Sequence, residues 1–256
     1  MTIIQAIISG IVQGITEFFP ISSSGHLVLL HGVFGIKESM VAFDVFLHFG
    51  TMLSVIIFFH KDIVNLFRKD TKTLKFLIIA TVPTFIIAFL MKKTAESFFS
   101  APRSVGLFLI VTGVFLMISS LFAIYWKTMK KTRLLNTANS LLVGVAQGIS
   151  VLPGISRSGS TIGTALILGI DEVDAIRFSF LLSLPVIMGA NLLKVREIYG
   201  TLVSAQVPAF IIGAIAAAVA GILAIKLLFG IFKKNLFFLF GIYCILIGAA
   251  AVTLSK

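Results

Sequence analysis

The stretch VQGITEFFPISSSGH (12–26) interrupts one apolar run of the chain, and AQGISVLPGISRSGS (146–160) interrupts another. Laid over each other at an offset of 134, they match without a gap. Seven of the fifteen positions are identical: Gln13/Gln147, Gly14/Gly148, Ile15/Ile149, Ile21/Ile155, Ser22/Ser156, Ser24/Ser158 and Gly25/Gly159. Shared hydrophobicity does not produce such a match, since most of these positions are Gln, Gly or Ser. The pair marks an internal duplication within one membrane domain (1–256), repeat 1 over about 1–133 and repeat 2 over about 134–256.

Six apolar runs surround the pair, at about 43–59, 74–91, 104–125, 175–193, 206–228 and 236–254. Each is long enough to span a bilayer, for which roughly 17–25 residues suffice. The broken runs, about 3–36 and 137–169, have flanks too short to span, so they predict re-entrant helical hairpins. Irregular backbone at membrane depth is tolerated only where protein or a wet cavity covers it. The expected fold is an all-α integral membrane protein, each half a re-entrant hairpin plus three transmembrane helices. Three crossings per half invert the second half, and an inverted repeat places a site where the broken elements meet.

Composition agrees. Of 256 residues, 58% are hydrophobic and 12% charged, about half the charge of a soluble domain. The net charge of +11 lies in short loops, the pattern of a multispanning chain and not of a nucleic-acid binder. Residues 1–30 lack the basic start and cleavage site of a removable signal peptide. The single cysteine, Cys244, reads as a core residue. Loops 60–73, 126–136 and 229–235, with Lys75 and Lys226, carry twelve Lys/Arg, or thirteen with Arg177; the other side carries seven (Lys37, Lys92, Lys93, Arg103, Lys194, Arg196, Lys256). The positive-inside rule makes the richer side cytoplasmic, so both termini and the first hairpin's mouth are expected outside.

Ionisable groups at membrane depth cost about 2.5–3.5 kcal/mol or more and mark function. Here they are Glu17, His26, Asp44, His48 and Arg157. Gln13 and Glu17 share a helix face, where they could ligate a hard divalent cation or merely satisfy hairpin backbone. Ser22, Ser23, Ser24, Gly25 and His26 offer a nucleophile beside an imidazole and an anion-friendly helix start; the plainer alternative is a serine N-cap. Ser156, Arg157, Ser158 and Thr161 with Gly159 form a phosphate clamp, because a guanidinium grips phosphate bidentately, or Arg157 salt-bridges to Glu17 or Asp44. Asp44 and His48 are an i, i+4 pair suited to supporting the site. A clamp, a metal-capable carboxylate and a nucleophile together suit phosphoryl transfer on a lipid whose tail stays in the bilayer.

QGITEFFPISSSGH and PGISRSGST resemble the signature motifs of the undecaprenyl-diphosphate phosphatases, the bacitracin-resistance family, and AFDVFLHFGT (42–51) is similar to that family's third recurrent stretch. The resemblance covers essentially the whole chain; Gln13 stands where many members have Glu. It implies hydrolysis of undecaprenyl diphosphate to the monophosphate, recycling a peptidoglycan lipid carrier, with Mg²⁺ or Ca²⁺ and a site open to the outer face of the bacterial cell membrane. It also implies Ser23 as nucleophile, Glu17 and His26 as proton-handling partners and Arg157 as clamp. Gln13 and Glu17 would hold the metal-bridged diphosphate, with Ser22, Ser24, Gly25, Ser156, Ser158 and Thr161 around the headgroup. The residues themselves do not say which of Ser22, Ser23 and Ser24 attacks, and they are compatible with a homodimer. An inverted-repeat transporter or lipid flippase is the alternative, distinguished by a serine–histidine pair that a carrier does not need. The type-2 phosphatidic acid phosphatases need a second histidine, and none follows His60.

Overall fold

The structure is a computed structural model that describes residues 1–36, 40–99, 101–198, 206–234 and 236–254; Lys37 and Lys256 of the charge count lie outside them. Eleven helices form among these residues: α1 (Ile3–Phe18), α2 (Ser23–Val33), α3 (Val41–Phe58), α4 (His60–Arg68), α5 (Thr71–Phe99), α6 (Pro102–Thr128), α7 (Thr137–Ile149), α8 (Arg157–Ile167), α9 (Glu172–Ile198), α10 (Val207–Lys233) and α11 (Phe238–Leu254). The protein is an all-α integral membrane protein. Five helices, α3, α5, α6, α9 and α10, are long and apolar enough to cross a bilayer. The sixth expected span, α11, is an apolar helix of 17 residues, at the short end of the spanning range. Large apolar side chains point outward along these helices, Phe89, Leu121 and Leu246 among them, as lipid requires.

The broken runs are helical hairpins whose starts are written in the sequence. Thr2 caps α1 in a capping box with Gln5, and Pro20 restricts Phe19 to extended backbone, which ends the helix. Ser22 caps α2 by accepting from the Gly25 N–H, and Ser156 caps α8 by accepting from the Gly159 N–H. The same device thus stands at equivalent positions of both repeats.

The chain's course shows that the second hairpin is re-entrant. Thr112, midway along α6, donates to the Gly154 carbonyl in the hairpin tip, while Trp126 near the end of α6 donates to Ile167 at the end of α8. The tip therefore lies at the depth of the middle of α6, and α8 returns to the side from which α7 departs. The Arg133 N–H closes the mouth on the Gly169 carbonyl. The first hairpin mirrors this, its tip packing on α11 through Phe19–Phe240 and through the Cys244 thiol near the Pro20 carbonyl.

Glycines expose the symmetry. A Cβ on Gly106 would strike the Gly248 carbonyl and one on Gly248 the Gly106 carbonyl; Gly113 and Gly241 behave identically. Helices α6 and α11 therefore run antiparallel in close backbone contact, the small-residue packing that membranes favour. An offset of 135 turns the pair 106/248 into 241/113, the same contact again, so the interface is self-complementary about a two-fold axis. An axis that exchanges two antiparallel spanning helices lies in the membrane plane, which inverts one half relative to the other. Gly10 of α1 abuts Gly213 of α10, and its counterpart Gly144 of α7 abuts Ala80 of α5. The two hairpins accordingly enter from opposite sides.

Candidate active site

The two tips meet. A Cβ on Gly25 would lie 3.3 Å from the Gly154 Cα, so the two tips approach closely at their glycines. The Ser158 hydroxyl donates to the Phe19 carbonyl at 3.1 Å, tying the second tip to the first.

Glu17, one residue before the end of α1, is the junction. Its Oε1 accepts from Arg157 Nη2 at 2.7 Å; its Oε2 accepts from the Ser23 hydroxyl at 2.6 Å and from Gln13 Nε2 at 3.0 Å. The carboxyl is 6% exposed, and a buried carboxylate is stable only when paired and hydrogen-bonded in this way. Gln13 reaches it because the two stand one turn apart on α1. The second N–H of the same amide contacts His48 Nδ1 at 3.1 Å, so Nδ1 accepts and the ring proton sits on Nε2. Turning the amide over would point its oxygen at the carboxylate, so this orientation is the chemically consistent one.

Ser22 holds a left-handed backbone, φ +67°, which is uncommon for a residue with a side chain and is characteristic of strained functional turns. Its hydroxyl caps α2, lies 3.4 Å from that of Ser24, and leaves Ser23 as the member of the trio bonded to Glu17. His26 is not brought to Ser23. Its ring stacks on Tyr243, Nδ1 donating to the Ser22 carbonyl at 2.8 Å and Nε2 meeting the Tyr243 hydroxyl at 2.9 Å. His48, expected only as support, stands at the site instead, its Nδ1 3.7 Å from Glu17 Oε2. Ser156 is a cap, Gly159 accommodates it, and Thr161 faces away, bonding the Arg157 carbonyl and Ser179 between α8 and α9. Asp44 lies apart from this cluster, within electrostatic reach of Lys194.

A cavity of about 230 Å³ opens beside the junction. Glu17, Ser22, Ser23, Ser24, His48 and Arg157 line it together with the polar side chains of Thr84, Gln147, Ser150, Ser183, Asn191 and Lys194 and several apolar ones. Sequence reasoning did not single out the second group as site residues. Gln147 was visible as the repeat partner of Gln13, and Asn191 as an amide within an apolar run; Lys194 read as an ordinary span-end cation.

Among the described residues no group of three or more His, Cys, Asp or Glu is placed to hold a metal ion. The donor set nevertheless fits a hard cation shared with a phosphate ligand. Gln13 Oε1 is a buried oxygen without a hydrogen-bond partner, adjacent to a carboxylate, and such ions complete their shells with phosphate oxygens and water.

The chain matches the family described as "Bacitracin resistance protein BacA" over residues 6–250. Among its relatives is an undecaprenyl-diphosphatase of Halothermothrix orenii, 43% identical over 259 residues that cover 100% of this chain and 99% of the relative. Others bearing that name come from Carboxydothermus hydrogenoformans, 40% identical (100% of this chain, 98% of the relative), and Methanosphaera stadtmanae, 39% identical (100% and 99%). With matches of this length and identity, the chain belongs to the BacA bacitracin-resistance family.

Proposed function

We propose that the chain hydrolyses undecaprenyl diphosphate to undecaprenyl phosphate and inorganic phosphate in the single cavity where the two hairpin tips meet. It is a membrane phosphatase that returns the lipid carrier to peptidoglycan synthesis and gives bacitracin resistance. One observation carries the assignment of roles: Glu17 binds the Ser23 hydroxyl through one oxygen and Arg157 through the other. A hydroxyl, a base and a cation from two distant segments stand within two hydrogen bonds, at membrane depth.

In the proposed mechanism Arg157 grips the terminal phosphate with Nη1, which is buried and without a partner. Drawing the guanidinium toward phosphate weakens its hold on Glu17, making that carboxylate a better proton acceptor. Ser23 Oγ attacks the terminal phosphorus as its proton passes to Glu17 Oε2. The bond from phosphorus to the bridging oxygen breaks, and its electron pair leaves with undecaprenyl phosphate. Water then attacks phosphorus, the bond to Ser23 Oγ breaks as Glu17 returns its proton to Oγ, and both water protons leave with the released phosphate. Gln13, itself donating to His48, holds the carboxylate in place, while His26 fixes the Ser22 turn that aims Ser23. Glu17 and Gln13 Oε1 would hold a Mg²⁺ or Ca²⁺ ion, which when bound neutralises diphosphate charge.

The mouth of the first hairpin and both termini face outward in this reading, supported by the count of twelve against seven basic residues. Cysteine labelling at Lys130 should then succeed only from the cytoplasmic side, and at Lys92 only from outside. The activity is tested by phosphate release from undecaprenyl diphosphate by the purified protein. Wild type should turn over and Ser23→Ala should not, whereas comparable rates from both would contradict the assignment.

A further inference from the structure

The cavity beside the catalytic cluster is lined by donors that the mechanism does not use. Asn191 and Lys194 are three residues apart on α9, so their side chains share a face, and both line the cavity. Asn191 is 2% exposed and its Nδ2 has no hydrogen-bond partner. A buried donor left unsatisfied is expensive, so its acceptor in the working state must come from the cavity. Arg157, in the lining of the same cavity, has an Nη1 that is likewise buried and unpartnered. Lys194 adds a second cation, within electrostatic reach of Asp44 and His48. Among the described residues the only carboxylate lining the cavity is Glu17, and both its oxygens are already occupied. Asp44, within reach of Lys194, keeps one buried oxygen without a partner but does not line the cavity. Arg157 Nη1 and Asn191 Nδ2 both lack an acceptor, and a phosphate carries enough oxygens to serve them together with Lys194.

We propose that Asn191 and Lys194 form a second phosphate subsite adjoining Arg157. The inference rests on the phosphatase reading above. A diphosphate presents two phosphates, and Ser23 with Arg157 engages only the scissile one. The second subsite holds either the lipid-linked phosphate during attack or the inorganic phosphate after release; its chemistry, donors around a phosphate, is the same for both.

Steady-state kinetics of the full-length protein on undecaprenyl diphosphate, with inorganic phosphate as inhibitor, separate these sources. Lys194→Gln is suitable because the side chain is only partly buried, and Asn191→Leu removes the donor at similar volume. If the lipid-linked phosphate occupies the subsite, both variants lose about tenfold or more in kcat/KM, while the inhibition constant for phosphate stays within twofold. If released phosphate occupies it, the inhibition constant rises about tenfold instead and kcat/KM holds. Lys194→Arg, which keeps the charge, loses less than Lys194→Gln in whichever parameter moves. Both parameters within twofold of wild type in Lys194→Gln and Asn191→Leu would overturn the subsite. Arg157→Ala in the same assay keeps the two claims apart. Normal turnover there sinks the phosphatase site itself, whereas a dead Arg157→Ala beside a Lys194→Gln that is normal in both kcat/KM and phosphate inhibition sinks the subsite alone.

Discussion

The two hairpin tips share a backbone plan and differ in their chemistry. Both begin with the same Gln-Gly-Ile, both cap the following helix with a serine that accepts from a glycine N–H three residues on, and both pack on a long apolar helix, α11 or α6. Yet Glu17 corresponds to Val151, Ser23 to Arg157 and His26 to Ser160. One tip presents an acid and a hydroxyl; the other presents a cation. A duplicated turn supplied the scaffold twice, and in the proposed mechanism the differences at Glu17/Val151 and Ser23/Arg157 split one reaction between the copies. Neither tip is a site alone, because Glu17 is held by Arg157 and Arg157 by Glu17.

The largest expected effects come from the divergent residues. Ser23→Ala and Arg157→Ala should each lower phosphate release by about a thousandfold or more, as loss of a nucleophile or a key charge does, with insertion and monodispersity unchanged. Arg157→Lys should recover little, since an ammonium replaces a planar fork by a point charge. Chelation of divalent ions should come next, suppressing turnover at least tenfold and reversibly on adding Mg²⁺ or Ca²⁺; full activity in chelator would remove Gln13 and Glu17 as ion holders.

Smaller effects test the shared scaffold. Gly154 has φ +98°, and a Cβ there would lie 2.5 Å from the Val105 carbonyl. Gly154→Ala should cost about 1–3 kcal/mol in strain alone, plus the clash, and lower the thermal midpoint in detergent. The caps should behave alike: Ser156→Ala should destabilise by about 1 kcal/mol, with activity falling mainly through lost order at the tip. A Ser156→Ala protein as stable as wild type would mean that the cap is not what shapes the second tip.

Much of this was legible in the sequence because lipid makes polarity informative. Glu17 and Arg157 stood out as charges within apolar runs, and the repeat at offset 134 identified which turns meet. Positions that needed the folded chain were of two kinds. His26 turns toward Tyr243, 217 residues away, and nothing in SSSGH announces that. Asn191 and Lys194 reach the cavity only because α9 packs against α3 beside the tips; read locally, Lys194 is one more basic residue at a span end. The chemistry written within one hairpin was readable, while the wall supplied by a distant helix was not.

The convergence of both tips on one phosphate is tested most directly by turnover of Ser23→Ala, Arg157→Ala and the double variant, measured side by side. Groups that act on the same phosphoryl transfer are strongly non-additive, so the double variant should fall within about threefold of the slower single. Losses that multiply would show Ser23 and Arg157 working independently, and would contradict the shared site.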